Sequence, residues 1–147
     1  MPSNNMNVGR DCSIAIIHPL VPASGGRLDI RHITGFEPRE GTTAVGIKRL
    51  DGTFLGAFLP HNWTGTIDVE RGNAVLDQFA AALQLAYSTG VNVPTGTVYQ
   101  YITETDGSTS TWQFSLCAFH LANAGSWKDD QTVKMQLAFV ADKRLPV

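Results

Sequence analysis

Charge, cysteine and long apolar runs are all scarce in this sequence, and each shortage excludes something. Only 16% of the 147 residues are charged, the formal net charge is −2 and the pI is near 6.0. A near-neutral chain carries no general bias toward nucleic acid or an anionic membrane surface. No apolar stretch approaches the roughly 20 residues that a membrane-crossing helix needs, so no membrane partner is expected. The first ten residues, MPSNNMNVGR, hold neither the basic nor the apolar segment of a secretory leader, which points to synthesis in the cytoplasm. Cys12 and Cys117 lie far apart with no C-x-x-C spacing. Cytosolic proteins rarely keep disulfides, so two buried thiols are expected.

Catalytic signatures are missing as well. The chain has no G-x-S-x-G elbow, no phosphate-binding loop and no H-E-x-x-H stretch. His18, His32, His61 and His120 each stand alone, without a partner at metal-ligand spacing. Asp68 and Glu70 fall on the outer phase of an alternating segment and read as a solvated face. Cys117 and His120 lie three residues apart in a strand pattern, so they point to opposite faces and make no nucleophile–base pair. The glycines at 25, 26, 35, 41, 46 and 56 mark turns and bulges, since none opens a helix after a strand. No catalytic residue, metal ligand or cofactor is expected, and the chain reads as a non-enzyme.

What the sequence does have is one clear helical period. From Asn73 to Gly90, Val75, Leu76, Phe79, Ala82, Leu83, Ala86 and Tyr87 recur at three- and four-residue steps. Asn73 is placed to cap the start, and Gly90 to take the left-handed conformation at the end. Everything else reads as strands and turns. Residues 1–10 read as a polar arm and 11–147 as a single domain. Cys12–His18 is a β-branched strand, and Pro19–Gly26 a loop. Arg27–Thr34 alternates as a strand with Leu28 and Ile30 inward. Gly35–Thr42 (GFEPREGT) reads as a charged connection. In Trp63–Glu70, Trp63, Ile67 and Val69 point inward. In Thr132–Asp142, Val133, Met135, Leu137, Phe139 and Ala141 do so. The run LCAFHLA after Ser115 is apolar in both phases, which suggests burial or a bulge. The expected fold is mainly β with one helix: an antiparallel β-sandwich or partly closed barrel flanked by a single α-helix.

Two Asp-Gly pairs mark hairpin turns. Read as two-residue loops, Asp51-Gly52 sets Lys48 opposite Leu55 and Ile47 opposite Gly56. One face then carries Val45, Ile47, Arg49, Phe54 and Phe58. The other carries Ala44, Lys48, Leu50, Leu55, Ala57 and Leu59. Both faces are substantially apolar, which marks an interface. The expected contact set is Val45, Ile47, Lys48, Arg49, Leu50, Asp51, Gly52, Phe54, Leu55 and Phe58. The same reading of Asp106-Gly107 pairs Tyr101 with Trp112 and Tyr99 with Phe114 as an aromatic cluster. It leaves Gln100, Glu104, Thr109, Thr111 and Gln113 on a weakly charged polar face.

The order and phrasing of these segments resemble the tail tube proteins of tailed bacteriophages. The stretches that carry the likeness are NVGRD, GGRLDIRHITGFEP, TTAVGIKRLDGTFLGAFLPHNWTGTIDVERG before the helix, and TVYQYITETDGSTSTWQFSLCAFHLANAGSWKDDQTVKMQLAFVADKR after it. They span roughly Asn7 to Arg144. The resemblance implies a β-sandwich or barrel with one helix, the fold type shared by the type VI secretion tube protein. It further implies hexameric rings stacked into a hollow tube for genome ejection. The chain would then be a structural virion protein of the tail, assembled in the host cytoplasm. Its partners would be further copies of itself, the tape measure protein and DNA in the lumen, and the baseplate and tail terminator. A contractile tail would add a sheath. Gln100, Glu104, Thr109, Thr111 and Gln113 would face the lumen. The alternative is a small β-sandwich module binding carbohydrate or another ligand, with Tyr99, Tyr101, Trp112 and Phe114 as a stacking platform.

Overall fold

The computed structural model describes residues 5–21, 24–28, 30 and 32–147. Residues 1–4 of the expected arm, 22 and 23 of the loop, and Asp29 and Arg31 of the expected second strand lie outside the described residues. The strands are β1 (Cys12–Ile17), β2 (Arg27–Leu28), β3 (Ile33–Lys48), β4 (Phe54–Glu70), β5 (Gly96–Thr103), β6 (Thr109–Asn123), β7 (Lys134–Ala141) and β8 (Arg144–Pro146). One helix, α1 (Val75–Ser88), joins β4 to β5. All pairing is antiparallel, in the order β2-β1-β5-β6-β7-β4-β3, with β8 on β6. The sheet curls around its core without closing, so the mainly-β, partly open architecture with one helix is what the chain adopts.

β6 holds the two halves of the sheet together. Its first half pairs with β5, up to Gly96 opposite Cys117, and its second half pairs with β7 from Ala118 opposite Val140. The ladder slips between Gly96 and Val98, and Leu116 there takes φ +50°. This bulge is where the sequence becomes apolar in both phases: Cys117 turns into the core and Leu116 out to solvent. Such bulges bend a strand and sharpen its twist, which lets one strand serve both walls of a barrel. Between those walls Phe114, Phe139, Ile16, Ile67, Leu137, Val98 and Cys117 are almost completely buried. Phe114 meets Phe139 edge to face at 5.6 Å, Phe36 at 5.8 Å and Trp63 at 6.0 Å. Inward residues of the alternating segments behave as read: Ile67, Val69, Met135, Leu137, Phe139 and Ala141 are buried.

Three local expectations need correction. The segment from Arg27 to Thr34 is not one strand, because β2 stops at Leu28 and His32 at φ +59° breaks the ladder before Ile33. Leu28 and Ile30 nevertheless both reach the core. Gly35–Thr42 is not a connection but the middle of β3, paired without a break from Gly35–Asp68 to Gly41–Asn62. Its charges and its proline suit this placement, since β3 is the edge of the sheet and edge strands tolerate both. Glu37 and Arg39 lie two residues apart on one face, with Arg39 Nε donating to Glu37 Oε1 at 3.0 Å. The helix stripe is right for Leu76, Phe79 and Ala86, but Tyr87 is 79% exposed. Asn73 is not the N-cap as expected: that position is Ala74, without a side-chain cap bond, and Asn73, one residue earlier, accepts from the Val75 amide through Oδ1 at 3.3 Å. Gly90, at φ +75°, closes the other end. Its amide bonds to Tyr87 O, and the Val91 amide to Ala86 O, the two crossed bonds of a Schellman motif.

Candidate assembly interface

β4 pairs with β7 only from Trp63 onward. Beyond that point, β3 and β4 continue as a two-stranded ribbon through seven ladder pairs, from Thr42–Pro60 to Lys48–Phe54. At about 3.4 Å per residue it projects by roughly 24 Å. Every residue from 42 to 61 is exposed. Ladder hydrogen bonds alone leave such a ribbon marginal in water, and it needs another layer to be stable.

The turn shows why the faces differ from those expected. Arg49 N donates to Thr53 O at 2.8 Å and Gly52 N to Arg49 O at 3.1 Å, with Gly52 at φ +89°. The loop is therefore three residues, Leu50-Asp51-Gly52, with glycine in the left-handed position. Asp51 Oδ1 accepts from both the amide (2.9 Å) and the hydroxyl (2.6 Å) of Thr53. Those two bonds, the hydroxyl first, hold its pKa below the ordinary carboxylate value. One extra loop residue shifts the register by one and exchanges partners. Ile47 pairs with Leu55, Val45 with Ala57 and Lys48 with Phe54. Val45, Ile47, Leu55, Ala57 and Leu59 thus share an aliphatic face. Phe54 and Phe58 lie on the other face with Ala44, Lys48 and two glycines. Arg49, Leu50, Asp51 and Gly52 form the tip. Ile47 is 61%, Phe54 72% and Phe58 73% exposed, so the re-sorted ribbon is still apolar and uncovered on both sides.

The second hairpin repeats this chemistry. Glu104 N donates to Ser108 O, Gly107 N to Glu104 O, and Asp106 Oδ1 accepts from the amide and hydroxyl of Ser108. The Ser108 bonds, the hydroxyl first, lower the Asp106 pKa as those of Thr53 do for Asp51. Its true register sets Tyr101 opposite Thr111, Tyr99 opposite Gln113, Gln100 opposite Trp112 and Val98 opposite Phe114. The expected pairs Tyr101–Trp112 and Tyr99–Phe114 are therefore wrong. The five expected lumen residues also do not share a face. Gln100 turns inward and is buried; Nε2 lies 3.5 Å from Cys12 Sγ, and Oε1 accepts from Arg144 at 3.1 Å. Glu104, at the turn, is in the inward phase of Gln100. Thr109, Thr111 and Gln113 stay together on the outer face, joined by Tyr99, Tyr101 and Thr103. The tyrosine rings of that face stack at 6.5 Å. Between Asp77 and Lys128 the only charged residues are Glu104 and Asp106, so this outer face carries no charge.

Trp112, half-buried on the inner face, meets a cation. The Arg144 guanidinium lies 4.1 Å from its ring centroid, 5.5 Å from that of Trp63 and 5.7 Å from that of Phe114. Burial lowers the Arg144 pKa. This inward position of Trp112 and Phe114 also dismantles the four-aromatic stacking platform. Cys117 is buried, its thiol pKa pushed up to about 11, while Cys12 is half-buried. No cluster of three or more potential metal ligands occurs among the described residues.

No family model matches the sequence. A search of curated proteins finds no match either. Solved structures do match in fold. The chain is similar to the tube-terminating cap of the anti-feeding prophage, with a TM-score of 0.64 and 10% identity over 100% of this chain and 94% of that one. The SPP1 tail tube aligns with a TM-score of 0.59 and 12% identity, over 95% of this chain and 77% of that one. A chain of the anti-feeding prophage baseplate aligns at 0.58 and 10%, over 100% and 97%. At these identities the likeness is one of fold, and that fold is the one found in tail tube proteins.

Proposed function

We propose that this chain is a structural, non-enzymatic tail protein that forms hexameric rings stacked into a tube, the conduit for genome ejection. The observation that carries this reading is the ribbon of residues 42–61. A twenty-residue apolar projection uncovered on both faces is costly in a monomer and is covered when copies pack together. The tube-like fold supports the reading. The sheet also ends on two edge strands, the short β2 and the long β3, and a neighbouring subunit would cover such edges.

In this arrangement the ribbon contacts adjacent subunits and the next ring through Val45, Ile47, Leu55, Phe54 and Phe58. The uncharged outer face of β5 and β6, with Thr109, Thr111 and Gln113, lines the lumen. Tape measure protein and DNA pass over hydroxyls and amides there. Fixed lysines or arginines would instead retain phosphates by counterion release. The tube would meet a baseplate and a terminator at its ends, and a sheath where the tail is contractile. Assembly takes place in the host cytoplasm. Size-exclusion chromatography and negative-stain microscopy of the purified chain test the reading. Rings or tubes are expected; a stable monomer at every concentration overturns it.

A further inference from the structure

His18 sits at the end of β1 with only 1% of its surface exposed, and it fastens three segments. Its Nδ1 accepts the Leu20 amide at 3.1 Å, which leaves the proton on Nε2 to donate to the Pro94 carbonyl at 3.1 Å. The ring packs edge-on against Phe79 of α1 at 4.9 Å and Phe119 of β6 at 5.9 Å. Its backbone joins in: His18 N donates to Gly26 O, and His18 O accepts from Val21 N. One neutral imidazole therefore ties the loop after β1 to the connection that returns from α1 to β5.

We propose that His18 is an acid-sensitive clasp, whose protonation frees the α1 side of the fold while the sheet stays intact. A proton on Nδ1 would turn the acceptor of the Leu20 amide into a second donor and set two N–H groups against each other. Among the described residues the added charge would meet no counter-ion. The described neighbours that face the ring are Phe79 from α1, Phe119 from β6, Pro94 from the connection and Gly96 at the start of β5, and none titrates. Among the described residues, Arg27 lies beside this edge, paired with Ile17 and exposed, and it is a like charge. Burial accordingly lowers the His18 pKa, only partly opposed by the Pro94 carbonyl. The sign follows. The opened segment binds a proton near the ordinary histidine pKa of about 6.5 while the closed one does not. Closure is thus fully favoured above that pH and weakens by up to tenfold per unit below it.

α1 is held less widely than the strands, since Leu76, Phe79 and Ala86 are its buried residues, so it opens before the ladders do. Hydrogen exchange on the full chain at pH 7.5 and pH 5.0, corrected for intrinsic rates, reads the effect. The opening of Val75–Ser88 and of the Leu20 and Val21 amides should rise at least tenfold, while β4 and β7 keep their protection. His18→Asn keeps an acceptor toward Leu20, His18→Gln keeps a donor toward Pro94, and neither titrates; both should lose the pH dependence. Should both variants fail to fold, nitrogen chemical shifts of the parent decide. An Nε2–H tautomer at pH 7.5 that titrates below the three exposed histidines supports the clasp. Uniform loss of protection, no change, or His18 titrating together with the others overturns it.

Discussion

The ring of Phe54 lies across Gly46 on the opposite strand of the ribbon. A Cβ built on Gly46 would stand 2.9 Å from Phe54 Cε2 and nearer still to Cζ. Without a side chain at 46, the ring covers bare backbone, an arrangement that stiffens a strand otherwise weakened by glycine. Gly46→Val should displace the ring and loosen the ribbon without reaching the core. Barrel stability should then stay within about 0.5 kcal/mol of the parent, as for exposed sites generally. Tube formation should fall sharply in micrographs. Normal tubes from this variant would show that ring and glycine play no part in assembly.

Ile47 and Leu55 face each other across the ladder on the aliphatic side. Replacing both by aspartate places two like charges opposite one another on a surface that the proposed assembly dehydrates. The monomer should fold normally, because both positions are already in water, and circular dichroism should match the parent. Assembly should be lost, since burying unpaired carboxylates costs several kcal/mol per site. Polymerisation at the parental rate would remove the aliphatic face from the interface.

How much was legible in the sequence follows from these two hairpins. The positions of β1, β5, β6 and β7, the helix, its glycine cap and the inward phases of β4 and β7 follow directly from periodicity and turn residues. Register did not. Asp-Gly reads most simply as the centre of a two-residue turn. Here Leu50 and Thr105 join their loops as well, because Asp51 and Asp106 fold back on Thr53 and Ser108. The D-G-[ST] triplet at both sites was the available signal. A single slip put Tyr99 and Tyr101 on the face of Trp112 and Phe114 and placed Gln100 among exposed residues. Apolar character of the ribbon survived because both of its faces are apolar. The strand through GFEPREGT was hidden by its charges, which an uncovered edge accepts.

The proposed lumen face has a direct electrostatic test at Thr109, which is exposed and opposite Thr103. Thr109→Lys would add a positive charge in every subunit of a ring. Tubes should form as before. Short double-stranded DNA should then be retained by the tubes at low salt and released as salt rises, because phosphate neutralisation is salt-dependent. A binding site on the outside of the tube would give decorated surfaces in electron micrographs rather than filled centres. That outcome, or no DNA retention at all, would take Thr109 off the lumen wall.

The corrected register can be tested by stability alone, independently of any function. Tyr99 and Phe114 would be cross-strand neighbours if the second loop had two residues. In the fold they occupy opposite faces, Phe114 completely buried and Tyr99 half-exposed. Phe114 touches Phe36, Trp63 and Phe139, so Phe114→Ala opens a cavity where three rings converge. It should cost about 3–5 kcal/mol, a large part of a domain's stability. Tyr99→Ala removes a ring that stacks on Tyr101 at the surface and should cost about 1 kcal/mol. Denaturant melts of the two variants side by side provide the measurement. Equal losses would mean that the two aromatics share one face and that the three-residue turn at Asp106 is wrong. A large gap, with Phe114→Ala the weaker protein, is the expected result.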